Sequence, residues 1–239
     1  MTKAFFIDTT TCTGCRGCQI ACKQWKKLPA EKTVNRGSFQ NPADLSFNTY
    51  KLVRMSEVEI DKKLQWLFFP DQCRHCIEPP CLEAAGEPTA IYKDKATGAV
   101  IYTKVTKDLD ADAIIDSCPY NIPRKGPDGS LAKCDMCIDR VSNGKLPACV
   151  QTCPTGAMNF GDYKEMRMWA QARLGEVRRR FPKATLVNSD TLRVIYLTAF
   201  EPTSYWQYAI AEHRELDITR AVAMRQLFKP FTQFFAQLG

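Results

Sequence analysis

The sequence predicts an α+β fold: two small interlocked modules, followed by a C-terminal helical extension. The first observation is that 12 cysteines, against only 2 histidines, fall into separate groups along 239 residues. The second is that short apolar runs joined by turn residues alternate with short helical stretches, a pattern typical of hairpins and connecting helices. The third is helical apolar spacing beyond residue 162. Cysteine chemistry, rather than imidazole chemistry, is therefore expected to dominate this chain.

Length and composition exclude several classes of protein. A chain of 239 residues with 45% hydrophobic and 25% charged residues suits one large globular domain or two small ones. Secreted disulfide scaffolds are typically under about 80 residues, and this chain is long enough to bury a core without such cross-links. No run approaches the roughly 18 apolar residues of a transmembrane segment. Asp8 ends the first apolar run too early for a signal peptide, so we expect none.

The first cysteine group has the spacing C-x2-C-x2-C-x3-C. It consists of Cys12, Cys15, Cys18 and Cys22. Two-residue gaps let a short loop surround one corner of a metal–sulfide cube, and Gly14 and Gly17 in those gaps permit close backbone approach. Cys22 lies one helical turn beyond Cys18, where it can face a different cube. In two-cluster bacterial ferredoxins the fourth cysteine of such a run binds the other cluster.

The last group repeats this unit with a longer internal loop. It comprises Cys134, Cys137, Cys149 and Cys153, and Pro154 follows it. Pro154 lacks a backbone N–H and turns the chain away from the metal. If each terminal group contributes its fourth cysteine to the other group, two sets of four ligands result. The first cysteine set is Cys12, Cys15, Cys18 and Cys153, and the second cysteine set is Cys22, Cys134, Cys137 and Cys149.

A middle group completes the count. The third cysteine set is Cys73, Cys76, Cys81 and Cys118, the last followed by Pro119. All 12 cysteines are then used, which predicts three [4Fe-4S] clusters and a ferredoxin-like character for both modules. His75 is expected to pack beside a cluster rather than bind it. Structural Cys₄ zinc sites share the C-x2-C spacing, so a zinc-binding interaction module is the alternative.

The formal charge of +7 treats every cysteine as neutral. A cluster with four thiolates carries about −2, so three clusters contribute about −6 and leave the chain near +1. The basic residues therefore do not indicate a nucleic-acid partner.

Local patterns place the remaining elements and the domains. We expect a strand over 3–7, hairpins over 50–60 with 64–69 and over 90–92 with 99–103, and short helices over 22–28 and 109–117. Residues 1–59 and 131–162 are predicted to form a two-cluster ferredoxin-like module. Residues 60–130 are predicted to form an inserted one-cluster module.

Residues 163–239 are predicted to form the extension, with a helix over 163–181 and a strand over 192–198. From Tyr205 onward the chain is rich in phenylalanine. This tail either packs on its own domain or docks on a partner chain, and a membrane-surface role is the weaker alternative. Its apolar residues are Ile218, Val222, Leu227, Phe228, Phe231, Phe234 and Phe235.

Four stretches carry a family resemblance. They are CTGCRGCQIACKQW at 12–25, WLFFPDQCRHCIEPPC at 66–81, CPYNIPRK at 118–125 and KCDMCIDRVSNGKLPACVQTCPTGAMNFGD at 133–162. With them the chain, over roughly residues 1–210, resembles the iron–sulfur (beta) subunits of molybdopterin oxidoreductases. It is most similar to those of soluble tungsten or molybdenum formate dehydrogenases of sulfate-reducing bacteria. The fourth cluster of the broader family is missing, since Ala85-Gly86 replaces a Cys-Pro and Ala113 and Ile114 stand where partner ligands would lie.

The resemblance implies an electron-transfer subunit of a formate dehydrogenase complex, with no catalytic centre of its own. Its expected partners are a large catalytic subunit with pterin-bound tungsten or molybdenum and a redox partner such as a multihaem cytochrome c. It also implies a periplasmic location reached by co-export with that subunit, with cytoplasmic residence as the alternative. Two other functions stay open: the equivalent subunit of a nitrate, thiosulfate or polysulfide oxidoreductase, and a free-standing polyferredoxin.

Overall fold

The computed structural model describes residues 2–187 and 190–211. The strands are β1 (Lys3–Asp8), β2 (Leu52–Ile60), β3 (Lys63–Asp71), β4 (Ile91–Lys93), β5 (Val100–Tyr102), β6 (Arg124–Lys125), β7 (Leu131–Ala132), β8 (Met158–Asp162), β9 (Thr185–Val187) and β10 (Val194–Thr198). The α-helices are α1 (Gly17–Lys26), α2 (Pro80–Ala85), α3 (Ala111–Asp116), α4 (Ile138–Val141), α5 (Ala148–Gln151), α6 (Tyr163–Arg178) and α7 (Pro202–Tyr205). Two short 3-10 turns lie at Thr9–Thr11 and Lys104–Asp108.

A four-stranded sheet with the order β8-β1-β10-β9 organises the chain. Strand β1 is antiparallel to β8 and parallel to β10, so that Phe5 lies between Phe160 and Val194. The strand predicted at 192–198 therefore lies directly beside the N-terminal strand. Residues beyond 162 belong to the same sheet as residue 3, which the sequence alone did not indicate.

Both faces of this sheet are covered. On one face, Phe6 and Ile195 pack with Leu174 and the fully buried Ala170 of α6. On the other, Phe5 and neighbouring residues join the core that includes Cys18 and Cys149. Because alternate residues of β1 point to opposite faces, its continuous apolar run is what a strand buried on both faces requires.

The hairpin of β2 and β3 is the longest in the described residues. Ile60 pairs with Lys63, so the turn contains only Asp61 and Lys62, with φ of 51° and 60°. Two consecutive positive φ values are typical of the type I′ turns that match strand twist. Phe69 of β3 stacks on Tyr196 of β10 at 4.2 Å between ring centroids, which joins the hairpin to the sheet.

The predicted mixture of helices and small sheets is confirmed, and β4 and β5 form the second expected hairpin. Helix α6 ends at Arg178 and α3 spans Ala111–Asp116, each shorter than predicted. The division into two modules stays a prediction, and its boundary between residues 59 and 60 lies inside the β2–β3 hairpin. Among the described residues, no helix has the length and apolar character needed to cross a membrane. Most of the predicted phenylalanine-rich tail, and all seven of its apolar residues named above, lie outside the described residues.

Candidate metal centres

The first cysteine set lines a cavity of about 310 Å³, together with Val53, Pro70 and Met158. Cys15 is exposed, whereas Cys18 is buried. The loop that carries three of these cysteines turns through positive φ at Gly14 (67°) and Arg16 (61°). A Cβ atom on Gly14 would lie 2.6 Å from the Phe68 ring, so the loop passes too close to β3 for any larger residue.

Helix α1 presents cysteines to two different sets. Cys18 and Cys22 are four residues apart, therefore on one face of the helix, and both are buried. The Cys153 thiol lies close enough to Cys18 to raise its pKa, and the Cys137 thiol lies close enough to Cys22 to raise the pKa of that residue. Each terminal group thus places its fourth cysteine beside the other group.

The second cysteine set forms around the short helices α4 and α5. Burial raises the pKa of Cys134 well above its usual value, and the neighbouring Cys22 thiol makes a smaller contribution in the same direction. Cys149 of α5 in turn has Cys137 and Cys22 as neighbours. Helix α5 packs against α1, which brings residues more than a hundred positions apart into one group.

The third cysteine set lines a second cavity, of about 350 Å³. Cys81 lies in α2 and Cys118 follows α3, while Cys73 and Cys76 flank a loop after β3. The non-cysteine wall includes Tyr102 of β5 and Lys133. All three predicted sets are therefore brought together in space. Within the described residues, no three His, Cys, Asp or Glu side chains converge as they would around a single metal ion.

Burial raises the pKa of several of these thiols. Loss of solvent raises the pKa of Cys12 to about 11 and the pKa values of Cys22 and Cys118 to about 12. Because the thiolate is the metal ligand, such sites become anionic only when positive charge replaces the proton. Soft thiolate donors of this kind select iron–sulfur clusters or zinc.

Lys51 is a buried cation between the first and second cysteine sets. Its Nζ donates a hydrogen bond of 2.6 Å to Oε1 of Gln72, and its exposed fraction is 2%. Burial opposes its charge, yet the Cys18 and Cys149 thiols raise the pKa of Lys51 above its usual value. Sequence reasoning missed this residue, because a lysine just before a strand is ordinarily solvated.

Tyr102 and Lys133 complete the wall of the third cavity. The Tyr102 hydroxyl is buried without an ordinary hydrogen-bond partner among the described residues, and it faces Cys81. The Nζ of Lys133 lies 4.5 Å from the centre of the Tyr102 ring. A buried hydroxyl that faces a cysteine and a buried ammonium fit an anionic thiolate-ligated group in this cavity.

His75 is fully buried and lies between two cysteines of the third set. Its Nδ1 accepts a hydrogen bond of 3.1 Å from the backbone N–H of Val100. Its Nε2 lies 3.7 Å from Sγ of Cys134, which belongs to the second set. Burial, with the nearby Lys133 and Arg193 charges, lowers the pKa of His75 well below its usual value.

Asp71 anchors the chain where it enters the third set. Its Oδ2 accepts bonds of 3.0 and 2.9 Å from Nε and Nη2 of Arg54, and its Oδ1 accepts one of 2.8 Å from Arg74. All three side chains are at most 1% exposed. This buried network joins the hairpin to the loop that begins at Cys73.

Comparison with known proteins identifies the family to which this cysteine-rich chain belongs. A family model described as a 4Fe-4S dicluster domain matches residues 64–163. The formate dehydrogenase beta subunit of Megalodesulfovibrio gigas is 57% identical over 215 residues, covering 88% of this chain and all of that subunit. The chain belongs to the formate dehydrogenase beta subunits.

Two further relatives are similar to this chain over most of its length. The formate dehydrogenase 2 subunit beta (cytochrome c-553) of Nitratidesulfovibrio vulgaris is 53% identical over 216 residues, covering 87% of this chain and 99% of its own length. The formate dehydrogenase-O iron–sulfur subunit of Escherichia coli is 42% identical over 178 residues, covering 74% of this chain and 59% of that longer subunit.

Family membership confirms the main functional predictions. This beta subunit is an iron–sulfur, electron-transfer component of an oxidoreductase complex, as the cysteine spacings and the resemblance predicted.

Proposed function

We propose that this beta subunit holds three [4Fe-4S] clusters, one in each cysteine set, and conducts electrons between a catalytic subunit and an external acceptor. The observation that carries the proposal is the sorting of all 12 cysteines into three sets, two of which line separate cavities. No cysteine is left over for another role. The proposed ligands are the first, second and third cysteine sets as defined above.

The cavity walls support anionic clusters in particular. When bound, a [4Fe-4S] cluster supplies a one-electron redox centre whose potential depends on burial and on hydrogen bonds to sulfur. The cysteines would bind it, and the Phe68 ring packs against the loop at Gly14. Lys51 and Lys133 supply buried positive charge, and Tyr102 supplies a hydroxyl donor.

The proposed partners follow from the relatives. The beta subunits belong to formate dehydrogenases, so we infer a large catalytic subunit with pterin-bound tungsten or molybdenum. The name of the Nitratidesulfovibrio vulgaris relative includes cytochrome c-553, which supports a c-type cytochrome, single- or multihaem, as the acceptor. A periplasmic location, reached by co-export with the catalytic subunit, agrees with such an acceptor.

An anaerobic titration with formate tests this function directly. The complex is purified natively, and the visible absorbance of its clusters is followed as formate is added, with dithionite as the control reductant. We expect formate to bleach the same absorbance that dithionite bleaches. Bleaching by dithionite alone, with an active catalytic subunit present, would contradict the proposed transfer of electrons from formate.

Chemical analysis of the same sample tests the cluster content. The proposal requires about twelve iron and twelve labile sulfide per beta subunit, beyond those of the catalytic subunit, because each cluster holds four of each. Zinc in place of iron, without labile sulfide, would contradict all three clusters.

A further inference from the structure

His75 occupies a strained position between two cysteine sets. Its φ is 47°, in the left-handed region that residues other than glycine seldom adopt. Its side chain is completely buried. Observed strain of this kind persists only where the surrounding structure enforces it, and it often marks a functional position.

The backbone of β5 determines which ring nitrogen of His75 carries the proton. The Val100 amide can only donate, so Nδ1, 3.1 Å away, is the acceptor and holds no hydrogen. A neutral imidazole then carries its single proton on Nε2. That N–H faces Sγ of Cys134 at 3.7 Å, within the range of a hydrogen bond to sulfur.

The backbone of the same residue contacts the other set. The His75 amide donates to Sγ of Cys73 at 3.4 Å, which the left-handed φ makes possible. One residue thus donates through its main chain to the third cysteine set and through its ring to the second. Cys134 receives one further donor, the amide of Met136 at 3.4 Å.

We propose that His75 is a positioning residue whose Nε2–H bonds to Cys134 and raises the reduction potential of the cluster held by the second cysteine set. This inference rests on the proposed function, since it presumes that cluster. A donor facing a ligand sulfur stabilises the reduced state, which carries the extra negative charge. The Val100 amide has a supporting role, because it holds the ring in the tautomer that can donate.

Two substitutions separate the two ring nitrogens. The side-chain oxygen in His75→Asn can replace Nδ1 as acceptor for Val100 but cannot reach Cys134. The longer amide in His75→Gln can place its NH₂ near the position of Nε2. Midpoint potentials are measured by EPR-monitored titration of the purified complex. We expect His75→Asn to lower one potential by about 59 mV, a tenfold change in the ratio of oxidised to reduced cluster, and His75→Gln to restore most of it.

Selective labelling gives a readout that a packing role would not produce. The chain contains only 2 histidines, His75 and His213, so histidine labelled with ¹⁵N at the two ring nitrogens alone marks few sites in this subunit and leaves the His75 amide unlabelled. A ¹⁵N hyperfine coupling to a reduced cluster should disappear in His75→Asn and persist in His213→Asn, which serves as the matched control.

Several results would overturn the inference. One is a His75→Asn protein that retains all its clusters with unchanged potentials. Another is a ¹⁵N coupling that is unchanged in His75→Asn. A wild-type complex without iron and labile sulfide would instead refute the proposed function itself, so the two failures are distinguishable.

Discussion

The exchange of fourth cysteines between the terminal groups is decided at single residues. Cys22 is close to Cys137 in space although it is close to Cys18 in sequence. We therefore expect Cys22→Ser and Cys137→Ser to alter the same EPR signal, and Cys15→Ser and Cys153→Ser to alter a different one. Spectra of the four purified variants check this. If Cys22→Ser and Cys15→Ser shared a signal, each terminal group would bind its own cluster.

Lys51 supplies positive charge beside the first and second cysteine sets. Replacement by methionine keeps the length of the side chain and removes the ammonium group near Cys18 and Cys149. Because an anionic cluster becomes harder to reduce without a nearby cation, we expect potentials lower by about 59 mV or more. EPR-monitored redox titration measures the shift. Lys51→Arg keeps the charge and should shift the potentials much less; equal shifts in both variants would exclude the electrostatic explanation.

Gly14 shows how one backbone position controls a whole loop. An alanine at position 14 would combine a φ of 67° with a Cβ atom 2.6 Å from the Phe68 ring. Gly144 has a similar φ of 69°, but the space around its Cβ position is open. We expect Gly144→Ala to cost about 1 kcal/mol from φ alone, and Gly14→Ala to cost about 1–3 kcal/mol more from overpacking. Thermal loss of cluster absorbance compares the two variants. Equal midpoints would show that Phe68 moves aside freely.

At the scale of elements, the buried network of Asp71, Arg54 and Arg74 stabilises the end of the β2–β3 hairpin. Asp71→Asn leaves Arg54 and Arg74 buried without their shared carboxylate. Removal of one partner of a buried pair costs about 3–5 kcal/mol, because an uncompensated charge remains. We expect a much lower midpoint for thermal unfolding, measured by circular dichroism.

A matched substitution controls for the loss of an Asp–Arg pair in general. Asp190 pairs with Arg167 on the surface, where its side chain is 74% exposed. Exposed pairs contribute about 0–1 kcal/mol, so Asp190→Asn should change the midpoint little. Similar losses in the two variants would mean that burial of the Asp71 network adds nothing.

The sequence predicted elements whose signals are local. The cysteine spacings grouped all 12 ligand candidates, and short apolar runs located β1, the hairpins and β10. The order of strands in the sheet was not predictable, since β10 pairs with β1 across nearly two hundred residues. The positions of Lys51 and Tyr102 beside the cysteine sets were not predictable either. Their neighbours come from distant segments, and nothing near them in sequence marks a charged or hydroxyl group as buried.

At the scale of the molecule, the packed cores differ in how much they depend on cysteine. The core between α6 and the sheet contains Phe6, Leu174 and Ile195 but no cysteine among the described residues. The core on the opposite face of the sheet includes Cys18 and Cys149, and a smaller core around Leu52 includes Cys73. Removal of the clusters should therefore loosen some parts of the chain much more than others.

Hydrogen exchange after removal of iron tests this uneven dependence. Without clusters, the buried charges of Lys51 and Lys133 lose the anions that offset them, and the cysteine loops lose their cross-links. We expect faster amide exchange in α1, α5 and β4–β5, while α6 and its sheet face stay protected because apolar packing alone holds them. Mass spectrometry of intact and iron-depleted protein measures the difference by segment. Uniform loss of protection would instead mean that cluster binding and folding of the whole chain form one cooperative unit.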